Sequence, residues 1–428
     1  MNRGRGNFQA RPGGELTLVV ERVGAQGDGI APNGVSGPVF VPLTLPGETV
    51  QARVSGDRGE LLGLVQASPD RIPPPCPHFG ACGGCALQHW AAGPYLDWKR
   101  ELIRQALARE RIETEILAPY AAPPGSRRRL ALHARAGSPG LARLGYKIRG
   151  GWRLVEIEVC PIADPRLQAA FQALKRLAAP FLEHPRSAPT LHVTLSASGL
   201  DVDVTGVERR TGGLSADARL RAADAAMAMD AARVTLAGEI VYQARQPIVA
   251  VGRASVVLPP GAFLQASAEA EAAMAAFAAD ALAGAGRVAD LFCGVGAFAL
   301  RLAQTARVHA ADASPEAVAA LASAAGATSG LKSVTVEARD LFRRPMLAQE
   351  LKKFDGALFD PPRAGAIAQA GQIATSVVAR VVAVSCNPAT FARDARILVD
   401  AGFRLERLLP VDQFLWSPHV ELVGVFTR

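Results

Sequence analysis

Two side chains near the carboxyl terminus have types and surroundings suited to covalent catalysis. Cys386 lies in "AVSCNPATFARD" and Glu421 in "SPHVELVGVF", next to His419. The apolar run "VVARVVAV" leads to Cys386, and the Asn-Pro after it halts the strand at the thiol. A thiol ending a strand in this way suits a nucleophile at a pocket mouth; the plainer alternative is a buried core thiol. A thiolate that adds to an unsaturated carbon needs a partner base to complete the cycle, and Glu421 is placed to be that base. Cys293, inside a glycine turn, reads as packing.

A second set of residues suggests a ligand crevice. In "ADLFCGVGAF" a strand ends in Asp290, the first of four acids expected at a crevice, followed by Gly294 and Gly296 in a tight turn, then a helix. Glycines there allow close approach of the backbone to a ligand. Asp312 ends the next strand, at the spacing where an acid accepts ribose hydroxyls. Asp340 ends "TVEARD" and is placed to reach an adenine edge, and Asp360 precedes "DPPR". Acids at the carboxyl ends of successive parallel strands would line one crevice. "GVGAF" lacks the third glycine of a dinucleotide fingerprint, and an acidic rim repels a diphosphate. S-adenosylmethionine, with its cationic amino group and sulfonium, fits better. A thiol and a base beside a methyl donor would meet the needs of one kind of methyl transfer. Carbon 5 of uracil becomes nucleophilic once a thiolate adds to carbon 6, and it can then take a methyl group.

A third set is "CPHFGACGGC", holding Cys76, Cys82 and Cys85, with Cys160 far downstream in "EVCPIAD". A disulfide scaffold is not expected in a long chain with no secretory signal. Four thiolates suit zinc or an iron–sulfur cluster. One C-x-x-C with two isolated cysteines favours the cluster, although the radical-generating C-x3-C-x2-C spacing is absent. The bland reading is unrelated buried thiols.

The elements that must position these groups fall into blocks. Residues 1–13 read as a basic, disordered arm, and residues 14–70 as about five short strands of a small barrel of the oligonucleotide-binding kind. Residues 71–265 read as a mixed α+β region, with helical spacing over 95–112 and, from 126 to 260, mostly strands broken by one helix near 165–178. From 266 strands alternate with helices, predicting a Rossmann-like parallel α/β sheet that ends in a hairpin. The 428 residues carry a net charge of +8. No acid occurs between Glu115 and Glu156, while Arg127, Arg128, Arg129, Arg135, Arg143, Lys147, Arg149 and Arg153 do, which suggests a phosphate-facing surface. No apolar run is long enough to span a membrane, so a cytoplasmic protein is expected.

"LFDPPRAG", "SCNPATFARD" and "HVE" closely resemble the RNA uracil-5 methyltransferase family. "GDGIA", "VFVPLTLPGE" and "CPHFGACGGCALQHW" look like that family's TRAM barrel and iron–sulfur loop. The likeness runs in order over nearly the whole chain and is greatest to the branch acting on 23S ribosomal RNA. The resemblance implies Cys386 as nucleophile and Glu421 as base. It implies a four-iron, four-sulfur cluster on Cys76, Cys82, Cys85 and Cys160. It assigns Gln265, Phe292, Ala297, Asp312, Asp340 and Asp360 to the cofactor or target base. A monomer acting on RNA, with 23S ribosomal RNA the favoured partner and no membrane, is expected. Ala297 stands where the family often has Asn, so its backbone is the expected contact, and Asp312 stands for a longer Glu. Leu415 and Trp416 replace the family's usual residues at the pocket lip. Phe263 and Trp416 are candidates for stacking on an unpaired base. The alternatives are the same reaction on transfer RNA, an amino-group methyltransferase, which needs no cysteine, and a non-catalytic RNA-binding module.

Overall fold

The computed structural model describes residues 14–34, 37–208 and 213–428; the arm at 1–13 lies outside the described residues. Contacts divide the chain into two compact units, the first up to Lys99 with Trp416–Pro418, the second Arg100–Leu415 with His419–Arg428. The division falls inside the helix Ala92–Arg109.

The first unit contains a six-stranded sheet ordered Gly14–Val19, Thr49–Ser55, Arg58–Gln66, Gly37–Val41, Gly29–Gly34, Arg22–Val23. The count is one strand more than expected, and Arg22–Val23 is a separate two-residue strand. Alternation in the strand at 49–55 turns Val50 and Ala52 inward, where they pack with Leu18, Val20, Val39 and Val41. Beside the sheet, Trp90, Tyr95 and Trp98 form a ring cluster, and the Trp98 indole donates to the Val23 carbonyl at 3.0 Å.

The second unit has two large sheets. Seven strands run in the order Leu154–Glu156, Ala142–Lys147, Arg129–Ala136, Thr190–Ser196, Gly199–Thr205, Arg233–Leu236, Glu239–Gln243. All its pairs are antiparallel except Gly199–Thr205 with Arg233–Leu236. That parallel pair needs a crossover, and the helix Ala216–Ala228, capped by Ser215, provides it. The sequence reading of one helix here therefore falls short. The repeated alanines of 216–228 are weakly amphipathic and left no clear period.

The other sheet is ordered Val334–Ala338, Arg307–Asp312, Arg287–Leu291, Gly356–Phe359, Arg380–Ser385, Glu421–Thr427, Arg404–Asp412. Its first five strands are parallel; the last in sequence inserts antiparallel between its two neighbours. Residues 115–116 and 120–121 pair in parallel with the outer edge of Arg404–Asp412. Strand alternation splits the core into two layers. Val288, Val308, Leu358, Val382 and Val423 pack with Met274 and Ala278 of the helix Ala268–Ala281. Leu291, Phe359, Val381 and Phe426 pack with Phe391 and Leu398 of the helix Pro388–Asp400. Each such side chain contributes about 1.5–3 kcal/mol when fully buried. Gly424 makes room for this packing: a Cβ there would meet Phe391 Cζ at 2.5 Å. Among the described residues no helix is long and apolar enough to cross a membrane.

Candidate active site

Cys386 follows directly on the strand Arg380–Ser385, and Glu421 opens the strand Glu421–Thr427. The two strands are antiparallel, with Ser385 opposite Leu422. Cys386 and Glu421 each lie one residue beyond this pair, at the same end of adjacent strands, and the Glu421 charge acts on the thiol. Asn387 caps the helix Pro388–Asp400, accepting from the Ala389 N–H at 3.1 Å, while its own N–H donates to Ser385 Oγ at 3.1 Å. These bonds hold the half-buried thiol at the strand-to-helix corner. The Asn387 and Thr390 side chains both donate to the Arg363 carbonyl, tying "DPPR" to the same corner. The Arg363 guanidinium is 3.2 Å from His419 Nδ1.

Two glutamines link the carboxylates. Gln413 Nε2 donates to Glu421 at 3.1 Å and to Gln265 Oε1 at 2.6 Å, and Gln265 Nε2 donates to Asp360 at 3.1 Å. The Ala266 N–H donates to Gln413 Oε1 at 2.8 Å and fixes the orientation of that amide. Glu421 is only 5% exposed. Burial, then the charge of Asp360, pushes Glu421 up to about 8 against the pull of Gln413 and Arg363. Burial pushes Asp360 up to about 7, opposed by the Gln265 hydrogen bond. Burial and the neighbouring Glu421 push the Cys386 thiol up to about 11, and Arg363 draws it down.

Because the folded-state value of Glu421 lies above its unfolded value, its contribution to stability is fully present below about pH 4 and is lost as pH rises through about 8. Glu421→Gln is insensitive to this titration. Its melting temperature relative to wild type should therefore shift in the variant's favour between pH 5 and pH 8. Scanning calorimetry without cofactor checks this, and a difference that does not change with pH would contradict it.

The glycine turn lies at the carboxyl end of the strand Arg287–Leu291. Phe292 sits at φ +64° there, a strained value for a bulky residue, with its N–H donating to the Ala311 carbonyl at 2.8 Å. Gly296 is at φ +96°, and a Cβ on it would come within 2.4 Å of Leu321. Asp312 closes the turn, its two oxygens accepting from the N–H groups of Gly294 and Ser314, both at 2.9 Å. Asp340 accepts from the Phe342 N–H at 3.0 Å. The Phe342 ring lies 5.4 Å from that of Phe292 and forms an apolar wall beside the acid. The Ala297 carbonyl accepts from Arg301 at 2.8 Å.

Asp290 departs from expectation. It lies inside its strand, fully buried, so it does not line the crevice. Neither carboxylate oxygen has a well-formed hydrogen bond, and the Ala299 N–H offers only a weak one. Burial, then the charge of Asp360, holds it well above the usual carboxylate range. Buried acids with raised values mark a site short of positive charge, and a cationic methyl donor suits that deficit. Arg128 is also corrected. It is buried and ion-paired with Glu271, with its Nε on the Gln265 carbonyl, so it braces the site and cannot face phosphate.

In the first unit, Cys76, Cys82 and Cys85 are half-buried and free of disulfides. The Gly84 N–H points at Cys82 Sγ, 3.4 Å away. The Trp416 carbonyl accepts from the N–H groups of Ala86 and Leu87 just beyond the loop. Cys160, in the second unit, is buried. The donor types suit iron or zinc, but no group of three or more His, Cys, Asp or Glu side chains among the described residues is gathered to hold a metal ion.

A family profile for tRNA (uracil-5-)-methyltransferases matches residues 252–428. An uncharacterized RNA methyltransferase of Caulobacter vibrioides is 62% identical over 96% of this chain and 99% of its own. A 23S rRNA (uracil(1939)-C(5))-methyltransferase, RlmD, of Halomonas elongata is 35% identical over 95% of this chain and 88% of its own. The chain belongs to the RNA uracil-5 methyltransferase family. This methyltransferase also shares its fold with the Pyrococcus abyssi tRNA (uracil-54, C5)-methyltransferase solved with S-adenosyl-L-homocysteine. That likeness has a TM-score of 0.73, 22% identity and coverage of 96% and 99% of the two chains. It is an S-adenosylmethionine-dependent enzyme. Three residues of the methyltransferase's site escaped the sequence reading. Phe342 follows Asp340 by two positions, a signal that was available. Gln413 and Arg363 carry no local sign of their partners.

Proposed function

We propose that the enzyme methylates carbon 5 of a uridine in 23S ribosomal RNA through a thioether between Cys386 and carbon 6, with Glu421 as general base. The observation that supports this chemistry is that Cys386 and Glu421 lie one residue beyond the Ser385–Leu422 pair at the same end of adjacent strands, near enough for the Glu421 charge to act on the thiol. The 35%-identical relative named for 23S ribosomal RNA supports the substrate. Cys386 loses its proton to water and its Sγ bonds to carbon 6, sending an electron pair to oxygen 4, which returns as carbon 5 takes the methyl group. S-adenosylmethionine, when bound, supplies the methyl group that carbon 5 then takes up. Glu421 removes the carbon 5 proton, the C–S bond breaks, and the thiolate leaves. The uridine must leave its stack to reach Cys386, at a cost of a few kcal/mol. Phe263, 68% exposed beneath the Arg129 guanidinium, is placed to stack on an unpaired base.

Asp312 receives the cofactor's ribose hydroxyls, and Asp340 with Phe292 and Phe342 receives its adenine. Gln265, Asp360 and the backbone at Ala297 face the methyl donor or target base. The first sheet acts as a TRAM barrel gripping RNA, and the protein works as a monomer. Incubating it with labelled S-adenosylmethionine and unmodified transcripts of 23S ribosomal RNA and transfer RNAs tests the substrate. Label as 5-methyluridine in 23S ribosomal RNA is expected. The family profile's description favours transfer RNA as the second reading, and label there alone would establish it. Label on an exocyclic amine would overturn both.

Cys76, Cys82, Cys85 and Cys160 are proposed to hold a four-iron, four-sulfur cluster, a reading that rests on their spacing and thiol chemistry. Protein purified without oxygen should contain iron and sulfide and absorb visible light, and Cys82→Ala should lose both. Iron at the wild-type level in Cys82→Ala with Cys85→Ala would sink the assignment.

A further inference from the structure

The turn between the strands Ala142–Lys147 and Leu154–Glu156 carries the most exposed of the large apolar side chains in the described residues, Trp152 at 80%. The turn is a built one. The Ile148 N–H donates to the Arg153 carbonyl at 2.9 Å, and Gly150 at φ +67° supplies the left-handed step. Lys147 Nζ stands 4.2 Å from the Trp152 ring centroid, covering one face and leaving the other to solvent. Arg153, next to Trp152 in sequence, is exposed at the same tip. Residues 116–155 contain no acid. Glu156, the first one beyond, is held by Lys175 at 2.6 Å and by Arg143 at 3.4 Å, and with Glu158 it is set against Arg143, Lys147, Arg149 and Arg153, so the segment stays net positive.

An indole held in water with a cation on one face has no folding role, since truncating it would uncover no core. Its open π-face and its basic surroundings complement one partner: a single-stranded RNA segment that lays an unpaired base on the ring and flanking phosphates on the cations. We infer that Trp152 is a stacking platform that anchors the RNA substrate away from the reacting uridine, with Lys147 and Arg153 holding the adjoining phosphates. The inference rests on the RNA-methylating reading above. It adds an anchor that touches neither cofactor nor reacting atoms and acts on substrate capture.

The test compares wild type, Trp152→Ala and Trp152→Phe in methyl transfer to the unmodified 23S ribosomal and transfer RNA transcripts. Trp152→Ala should lower kcat/KM about tenfold with kcat unchanged, and Trp152→Phe should recover most of the loss. Melting temperatures of all three should agree, since the side chain is on the surface. Trp90 and Trp98 are buried and Trp416 half-buried, so oligouridylate should shield tryptophan fluorescence from acrylamide in wild type and much less in Trp152→Ala. If wild type methylates a transcript and Trp152→Ala matches it in kcat/KM, the platform is overturned while the proposed function stands. If wild type methylates neither transcript, the proposed function fails and the platform with it.

Discussion

Cys386→Ala is expected to lose methyl transfer by a factor on the order of 10⁴ or more, while still binding S-adenosylmethionine. The size follows from the chemistry. Without addition at carbon 6, carbon 5 of uracil is too weak a nucleophile, and no other described thiol can substitute. Cys293 is 5% exposed inside the glycine turn, where burial holds its thiol well up. A substrate bearing 5-fluorouridine distinguishes this from indirect damage. Fluorine cannot leave as a proton, so wild type should form a complex with the RNA that survives a denaturing gel, and Cys386→Ala should form none. An adduct that persists in Cys386→Ala would transfer the nucleophile's role elsewhere. Methyl transfer at the wild-type rate without any adduct would point to amine chemistry instead.

Glu421→Gln is expected to lower turnover by about 10²–10⁴-fold through a different step. The amide cannot accept the carbon 5 proton, so addition and methyl transfer proceed while release stalls. Ordinary unmodified RNA should therefore accumulate as a methylated covalent complex in this variant. The pH dependence separates the two groups further. In the protein without ligands Glu421 is pushed up to about 8, and only its ionised form is a base. Wild-type kcat/KM should rise with pH through that region, in parallel with ionisation of the Cys386 thiol from its raised value. If Glu421→Gln turns over as wild type does and shows no covalent complex, another group removes the proton, with Asp360 next in line.

Much of this was legible in the chain because it is local. The glycine turn, the acids after successive strands and the Asn-Pro stop after Cys386 are each set within about ten residues, by backbone freedom, strand length and helix capping. The alternation of strands and helices after residue 266 likewise announces a parallel sheet, since parallel neighbours require a crossover. Glu421 is read as a base from its type and its place at a strand start, and resemblance assigns it, since nothing local tells it from other acids that open a strand.

What the tertiary structure alone decided depends on contacts between distant parts of the chain. Inserting Glu421–Thr427 antiparallel beside Arg380–Ser385 puts Glu421 and Cys386 at the same end of adjacent strands; pairing at the other edge would have separated them. Gln413 meets Gln265 across 148 positions, and Arg128 meets Glu271 across 143, which turns a residue read as phosphate-binding into an internal brace. Asp290 was misplaced because spacing locates a residue along a strand but says nothing of what covers it. Trp152 was passed over because exposure of an apolar side chain depends on whether any other element packs on it. Composition and periodicity describe one segment at a time, whereas desolvation, pairing of charges and the open face of an indole are properties of what the rest of the fold brings near.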